Sequence, residues 1–215
     1  MALAFTATKG KAVKKSYDAY EYKDGENTVR IVGGILPRYV YWLKGSNDKD
    51  IPVECLAFDR EVEKFNNKEV DFVPQYFADK KCSWAYSCNC IDPKDGKVKI
   101  LNLKKKLFEQ ICTAAEDLGD PTDASTGWDI VFKKVKTGPL PFNVEYTLSV
   151  LRCKKRALTE NELTLIANSE SIDFKYPRQT PEDVKATLER LTNDSPEDAE
   201  SSTDTDTEAV SDLTN

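Results

Sequence analysis

Six cysteines, runs of carboxylates and segments that mix aromatic with basic residues are the groups in these 215 residues whose types and spacing suit chemistry. Histidine is absent, which removes imidazole as base, proton shuttle or metal ligand, and with it the Ser-His-Asp and Cys-His nucleophilic systems. Cys82, Cys88 and Cys90 lie close together, and strand alternation sends Cys88 and Cys90 to one face, with Cys55 a further candidate. A structural zinc site draws four ligands, usually as pairs two to four residues apart on loops. A Cys-x-Cys pair inside a strand fits reduced core or surface thiols better, so no metal or cofactor is expected. Glu54, Asp59, Glu61 and Glu63 suit magnesium, but Asp59 stands where a short helix over 60–65 would begin, and capping with a solvated face accounts for them. Gly33-Gly34 runs into Ile35-Leu36-Pro37, not into the Gly-Lys-Ser/Thr of a nucleotide-binding loop. The chain does not read as an enzyme.

Aromatic and basic residues that share segments remain. Tyr39, Tyr41 and Trp42 stand beside Arg38 and Lys44; Trp84 and Tyr86 follow Lys80 and Lys81; Trp128 precedes Lys133, Lys134 and Lys136. Arg30, Lys97 and Lys99 add cations on neighbouring candidate strands. Unpaired nucleic acid asks for these two ingredients, cations along the phosphates and flat rings on which bases stack for roughly 1–3 kcal/mol each. The competing reading of each ring is a place in the core, since large rings are mostly buried. Lys104 to Lys106 oppose the dipole of the helix they precede and invite a counter-anion.

The elements that must carry these residues are mostly strands. Short apolar runs broken by turn signals predict strands over 28–33, 39–44, 52–58, 83–91, 97–103, 128–136 and 142–151. The last alternates most cleanly, with Phe142, Val144, Tyr146, Leu148 and Val150 on one face. The 83–91 and 97–103 runs flank Pro93-Lys94-Asp95-Gly96 and should pair as a hairpin, Gly96 taking a positive φ. One helix is expected where Leu107, Phe108, Ile111, Cys112, Ala115 and Leu118 recur before Gly119. A helix inserted before the final strand pair favours a five-stranded Greek-key barrel of the oligonucleotide-binding kind, an OB-fold, over a sandwich. Beyond 156 the period turns helical: Thr159 with Glu162 offers a capping box, and Thr180-Pro181 with Asp183 opens a second helix carrying Val184, Leu188 and Leu191.

Charge divides the chain further. The net charge is -6, yet residues 194–215 hold eight acids and no Lys or Arg, leaving 29 acids against 31 basic residues in 1–193, a formal +2. The organisation expected is a flexible basic arm over 1–16 (Lys9, Lys11, Lys14, Lys15), an OB-fold domain over 17–156, a helical appendage over 157–193 and a disordered acidic tail over 194–215. No apolar run approaches the roughly 20 residues of a spanning helix, and no export signal is read at the start, so no membrane partner is expected.

Gly25 to Ile31 (Gly-Glu-Asn-Thr-Val-Arg-Ile), Tyr39 with Trp42, Trp84-Ala85-Tyr86 leading to Asp92 to Val98, and Trp128 to Val135 resemble, in order and spacing, the replication single-stranded-DNA-binding proteins of tailed bacteriophages. The resemblance covers about residues 20 to 152, and the acidic terminus suits it. It implies an OB-fold that coats unpaired DNA in phage replication, recombination and repair, in the cytoplasm of the bacterial host. It also implies a tail that contacts replication partners such as polymerase, helicase or primase and competes with DNA. By position, Arg30 matches the arginine of the first strand, Trp84 the tryptophan opening the third, and Lys133 and Lys134 the basic pair of the fourth. Some relatives carry a zinc knuckle with histidine; here 61–81 has neither histidine nor cysteine. Relatives use a basic arm for self-association, a part that Lys9 to Lys15 can play. Two rival readings are a protein-interaction module whose aromatics are all core, and a single-stranded-RNA-binding barrel, since stacking platforms do not sense the sugar.

Overall fold

The computed structural model describes residues 17–45, 49–140 and 143–193; the arm over 1–16, Phe142 and the tail over 194–215 lie outside them. In chain order these residues form β1 (Gly25–Leu36), β2 (Tyr39–Lys44), β3 (Asp50–Glu54), β4 (Phe58–Asp59), β5 (Lys64–Phe65), α1 (Val73–Tyr76) and β6 (Ser83–Trp84). Then follow β7 (Ser87–Asp92), β8 (Lys97–Asn102), α2 (Lys105–Leu118), β9 (Ile130–Lys136), β10 (Val144–Leu148), a 3-10 turn (Val150–Arg152), α3 (Glu160–Ala167), α4 (Ile172–Lys175) and α5 (Pro181–Asn193). The architecture is mainly β, and no helix among the described residues is long and apolar enough to cross a membrane. The described residues divide into two compact units: the first takes in 17–39, Arg60–Lys64 and Ser83–Arg178, the second Val40–Asp59, Phe65–Cys82 and 179–193.

The first unit is built on an antiparallel sheet of order β10-β9-β1-β7-β8. β1 serves two partners: Gly25 to Val29 pair with β9, and Arg30 to Leu36 pair with β7. A register shift between Val32 and Ile35, with Gly33 at φ 70°, bends it between them. The expected hairpin forms from Asp92↔Lys97 to Ser87↔Asn102, and Gly96 takes φ 64°. Alternation turns Val29, Ile31, Cys88, Cys90, Ile130 and Phe132 into one core, which α2 closes with Leu107, Ile111 and Ala114. α2 stops where Gly119 reaches φ 79°. The edge strands β8 and β10 share no ladder among the described residues. The free edge of β8 is covered instead by the segment before β1, through Tyr20 N to Ile100 O and Ile100 N to Asp18 O, both 2.8 Å.

In the second unit β2 and β3 form a hairpin with Trp42 opposite Pro52 and Lys44 opposite Asp50. α1 packs on α5, and Val73, Val184, Leu188 and Leu191 are buried. Thr180 caps α5 as the sequence anticipates, its Oγ1 accepting from Asp183 N at 3.1 Å. The Thr159–Glu162 capping box forms at α3 in the first unit.

Three expectations are corrected. No helix forms over 60–65, where turns lead into β5: Glu63 sits at φ 51° and its carboxylate accepts from the Tyr86 hydroxyl at 2.8 Å, while Asp59 receives Asn66 Nδ2 and Lys68 Nζ instead of capping. The single strand expected over 83–91 is two, because Ala85 N turns to Arg38 O and Tyr86 O to Leu103 N between them. The strand expected to run to Leu151 ends at Leu148, and the chain turns through a 3-10 element that leaves Leu151 fully exposed.

Candidate nucleic-acid interface

Trp84 and Tyr86 are brought together as the sequence pattern suggests. Ala85 points its N–H at Arg38 O, which sets the two flanking rings side by side, 4.4 Å between centroids and 17° from parallel. Phe108 of α2 joins them at 5.8 and 6.0 Å. Trp84 and Phe108 remain half-buried against the core, whereas Tyr86 is buried. Burial first, then the Glu63 carboxylate that accepts its proton, push the Tyr86 phenol above its usual range. The stack is therefore a fixed platform with Trp84 as its open member. Tyr39 packs half-buried against the same core.

On β9, Lys133 is exposed, whereas Lys134 donates to Asp24 at 2.9 Å and Lys136 lies 3.4 Å from the same carboxylate. Lys97 is exposed, but Lys99 is held by Asp92 at 2.9 Å and Asp95 at 2.6 Å. These pairings favour the charged ammonium of Lys99 and leave it little freedom to meet a phosphate.

Trp128 and Arg30, both expected contacts, are sealed. Trp128 is 0% exposed, and its indole N–H donates to Gly119 O at 2.8 Å, so the ring offers no face to a base as placed. Arg30 is 1% exposed, on the pleat opposite Val29 and Ile31, with Nη2 on Asp123 O at 2.7 Å. Gly127 permits that approach, since a Cβ there would stand 2.6 Å from Arg30 Nη2. The outer face of β1, β7 and β8 is likewise covered. Ile172 packs with Leu36 and Ile100; Asn89 Nδ2 donates to Glu170 O at 3.0 Å and Lys175 Nζ to Asn89 Oδ1 at 2.8 Å. Arg38 donates to Ser87 Oγ at 3.3 Å and stacks 3.9 Å over Tyr176.

In the second unit Trp42 is 51% exposed, on the same hairpin face as Lys44, which pairs with Asp50 at 2.8 Å. Tyr41 points the other way, buried, its hydroxyl donating to Asp71 at 2.9 Å. Lys80 and Lys81 are exposed. Cys55 is buried with Sγ 3.1 Å from Asp71, and burial pushes its thiol above the usual range. In the first unit Cys88 and Cys90 are fully buried, as two residues on one strand face would be; burial raises Cys90 to about 12.

Sequence reasoning assigns no contact to Tyr22 or Phe108, weighs Tyr146 as core, and takes Lys104 only as part of a basic run that invites a counter-anion. Tyr22 belongs to no predicted element, and Phe108 and Tyr146 read as core positions of a helix and a strand. Tyr22 stands 5.2 Å from Tyr146 and 5.5 Å from Phe132, and its hydroxyl donates to Asn102 O at 2.9 Å. The only available signal was the unbroken basic run from Lys104 to Lys106.

No family model matches the chain. Over 138 residues it is 32% identical to a protein of Escherichia phage T5 named "Probable ssDNA-binding protein", a match covering 59% of this chain and 52% of the relative. The chain thus spans about half the length of the curated relative it matches. The resemblance first read from short words of sequence, to the single-stranded-DNA-binding proteins of phages, is therefore borne out as similarity across more than half of the chain.

Proposed function

We propose that this chain binds single-stranded DNA without sequence preference and coats it during phage DNA replication, recombination and repair, in the cytoplasm of the bacterial host. It acts by binding and not by catalysis. The observation that carries the reading is the Trp84 platform, an indole stacked on the fixed ring of Tyr86 and still half-open, in a chain similar to a protein named for binding ssDNA. The strand order, with α2 between β8 and β9, supports an OB-fold whose edge strands stand apart. Affinity comes from counterion release at exposed lysines, Lys133 and Lys97 among them, and from bases on Trp84 and Trp42. Tyr39, Tyr41, Lys80 and Lys81 support these platforms.

The eight acids of 194–215 act as a tethered polyanion that competes with DNA and, once displaced, engages replication proteins such as polymerase, helicase or primase. The lysines of 1–16 assist self-association on DNA. Tryptophan emission titrated with oligo-dT tests the reading. Saturable quenching that weakens steeply with salt is expected; no quenching and no binding would favour a protein-interaction module. Tighter binding of oligo-U in parallel would reassign the chain to RNA.

A further inference from the structure

Between Asn102 and Lys104 the backbone of the first unit passes between two groups of rings. On one side Leu103 N donates to Tyr86 O at 3.0 Å, tying the run to the Trp84–Tyr86–Phe108 group. On the other the Tyr22 hydroxyl donates to Asn102 O at 2.9 Å, and the ring lies 5.2 Å from Tyr146. Tyr22 is fixed at both ends, since Lys134 Nζ donates to its carbonyl at 3.1 Å. Lys104 Nζ stands 5.3 Å above the Tyr22 ring. Desolvation of its ammonium, and after it the like charge of Lys134, hold Lys104 below the ordinary lysine range. A cation in that setting gains from an anion.

Resting on the single-strand reading above, we propose that Lys104 and Tyr22 form a subsite of the nucleic-acid path, Lys104 taking a backbone phosphate and Tyr22 with Tyr146 the adjoining sugar or base. The outer face of β1, β7 and β8 is closed by residues 170–176, so a strand leaving Trp84 finds its next rings across Lys104. The subsite adds one phosphate contact and one stacking surface to those of Trp84.

The test is fluorescence anisotropy of labelled oligo-dT with the full chain, from about 50 to 200 mM salt, comparing wild type with Lys104→Ala and Lys104→Arg. Lys104→Ala should weaken binding roughly three- to tenfold at the low-salt end and reduce the slope of log K against log salt by about 0.7, the loss of one phosphate contact on a single strand. Lys104→Arg should restore the slope. The residue is exposed, and its removal from the start of α2 relieves an unfavourable charge, so thermal stability should hold or rise. An unchanged slope in Lys104→Ala, while wild type binds, overturns the subsite and leaves the single-strand reading standing. Failure of wild type to bind oligo-dT overturns both.

Discussion

The indole of Trp84 lies flat on the ring of Tyr86, 4.4 Å between centroids, and the Tyr86 hydroxyl is tied to Glu63 at 2.8 Å. One ring is thereby anchored and the other half-open, which is the arrangement a base can extend by stacking. Trp84→Ala is expected to cost oligo-dT affinity about 1–3 kcal/mol, a loss of roughly fivefold to 150-fold. Trp84→Phe, which keeps a ring, should lose less. Anisotropy with labelled oligonucleotide reads both, and equal affinity of Trp84→Ala and wild type would remove the platform from the binding surface.

Trp128 should behave oppositely. It is fully buried and bonded to Gly119 O, so Trp128→Phe leaves a cavity and an unpaired carbonyl and should destabilise folding by about 2–4 kcal/mol in urea. The folded fraction should bind DNA as wild type does.

Arg156 clamps Glu162 through Nη1 and Nη2, both at 2.8 Å, and Asp129 through Nε at 2.7 Å. The guanidinium holds the Glu162 carboxyl down at about 2. A carboxylate depressed in the folded state stabilises above its unfolded pKa of about 4.3 and loses that contribution as pH falls toward the folded value. Glu162→Gln should cost about 1–3 kcal/mol at pH 7, with the gap to wild type closing between about pH 4 and pH 2. A pH-independent gap in urea melts would contradict the clamp.

Deleting 194–215 removes eight negative charges. Oligo-dT affinity at about 50 mM salt should rise several-fold, and the gain should vanish near 1 M as the charges are screened. Unchanged affinity at low salt would reject the tail as a competitor.

Much of the sheet was legible because its signals are local. Alternation marks β10, apolar runs bounded by turn signals mark β7 and β8, and the Pro-Lys-Asp-Gly turn predicts the hairpin that they form. Glu63 shows where such reading fails: its sequence neighbours suggest a helix, but a hydroxyl 23 residues away takes its carboxylate. The three tryptophans make the same point for the site. Trp42 stands exposed between the buried Tyr41 and Leu43, a difference that the aromatic run Tyr39-Val40-Tyr41-Trp42 does not announce. The indole of Trp128 is captured by a carbonyl nine residues earlier that no strand pattern announces. Arg30 is expected on DNA only through a resemblance, and Asp123 O receives its guanidinium while the side chain is buried, because residues far along the chain decide which pleat of β1 meets solvent.

Quenching of tryptophan emission by oligo-dT, in wild type beside Trp84→Phe, tests the central claim most directly. Saturable quenching in wild type, reduced in Trp84→Phe while Trp128 stays unquenched in its core, is the expected result. Quenching of equal depth and midpoint in the two proteins would contradict it.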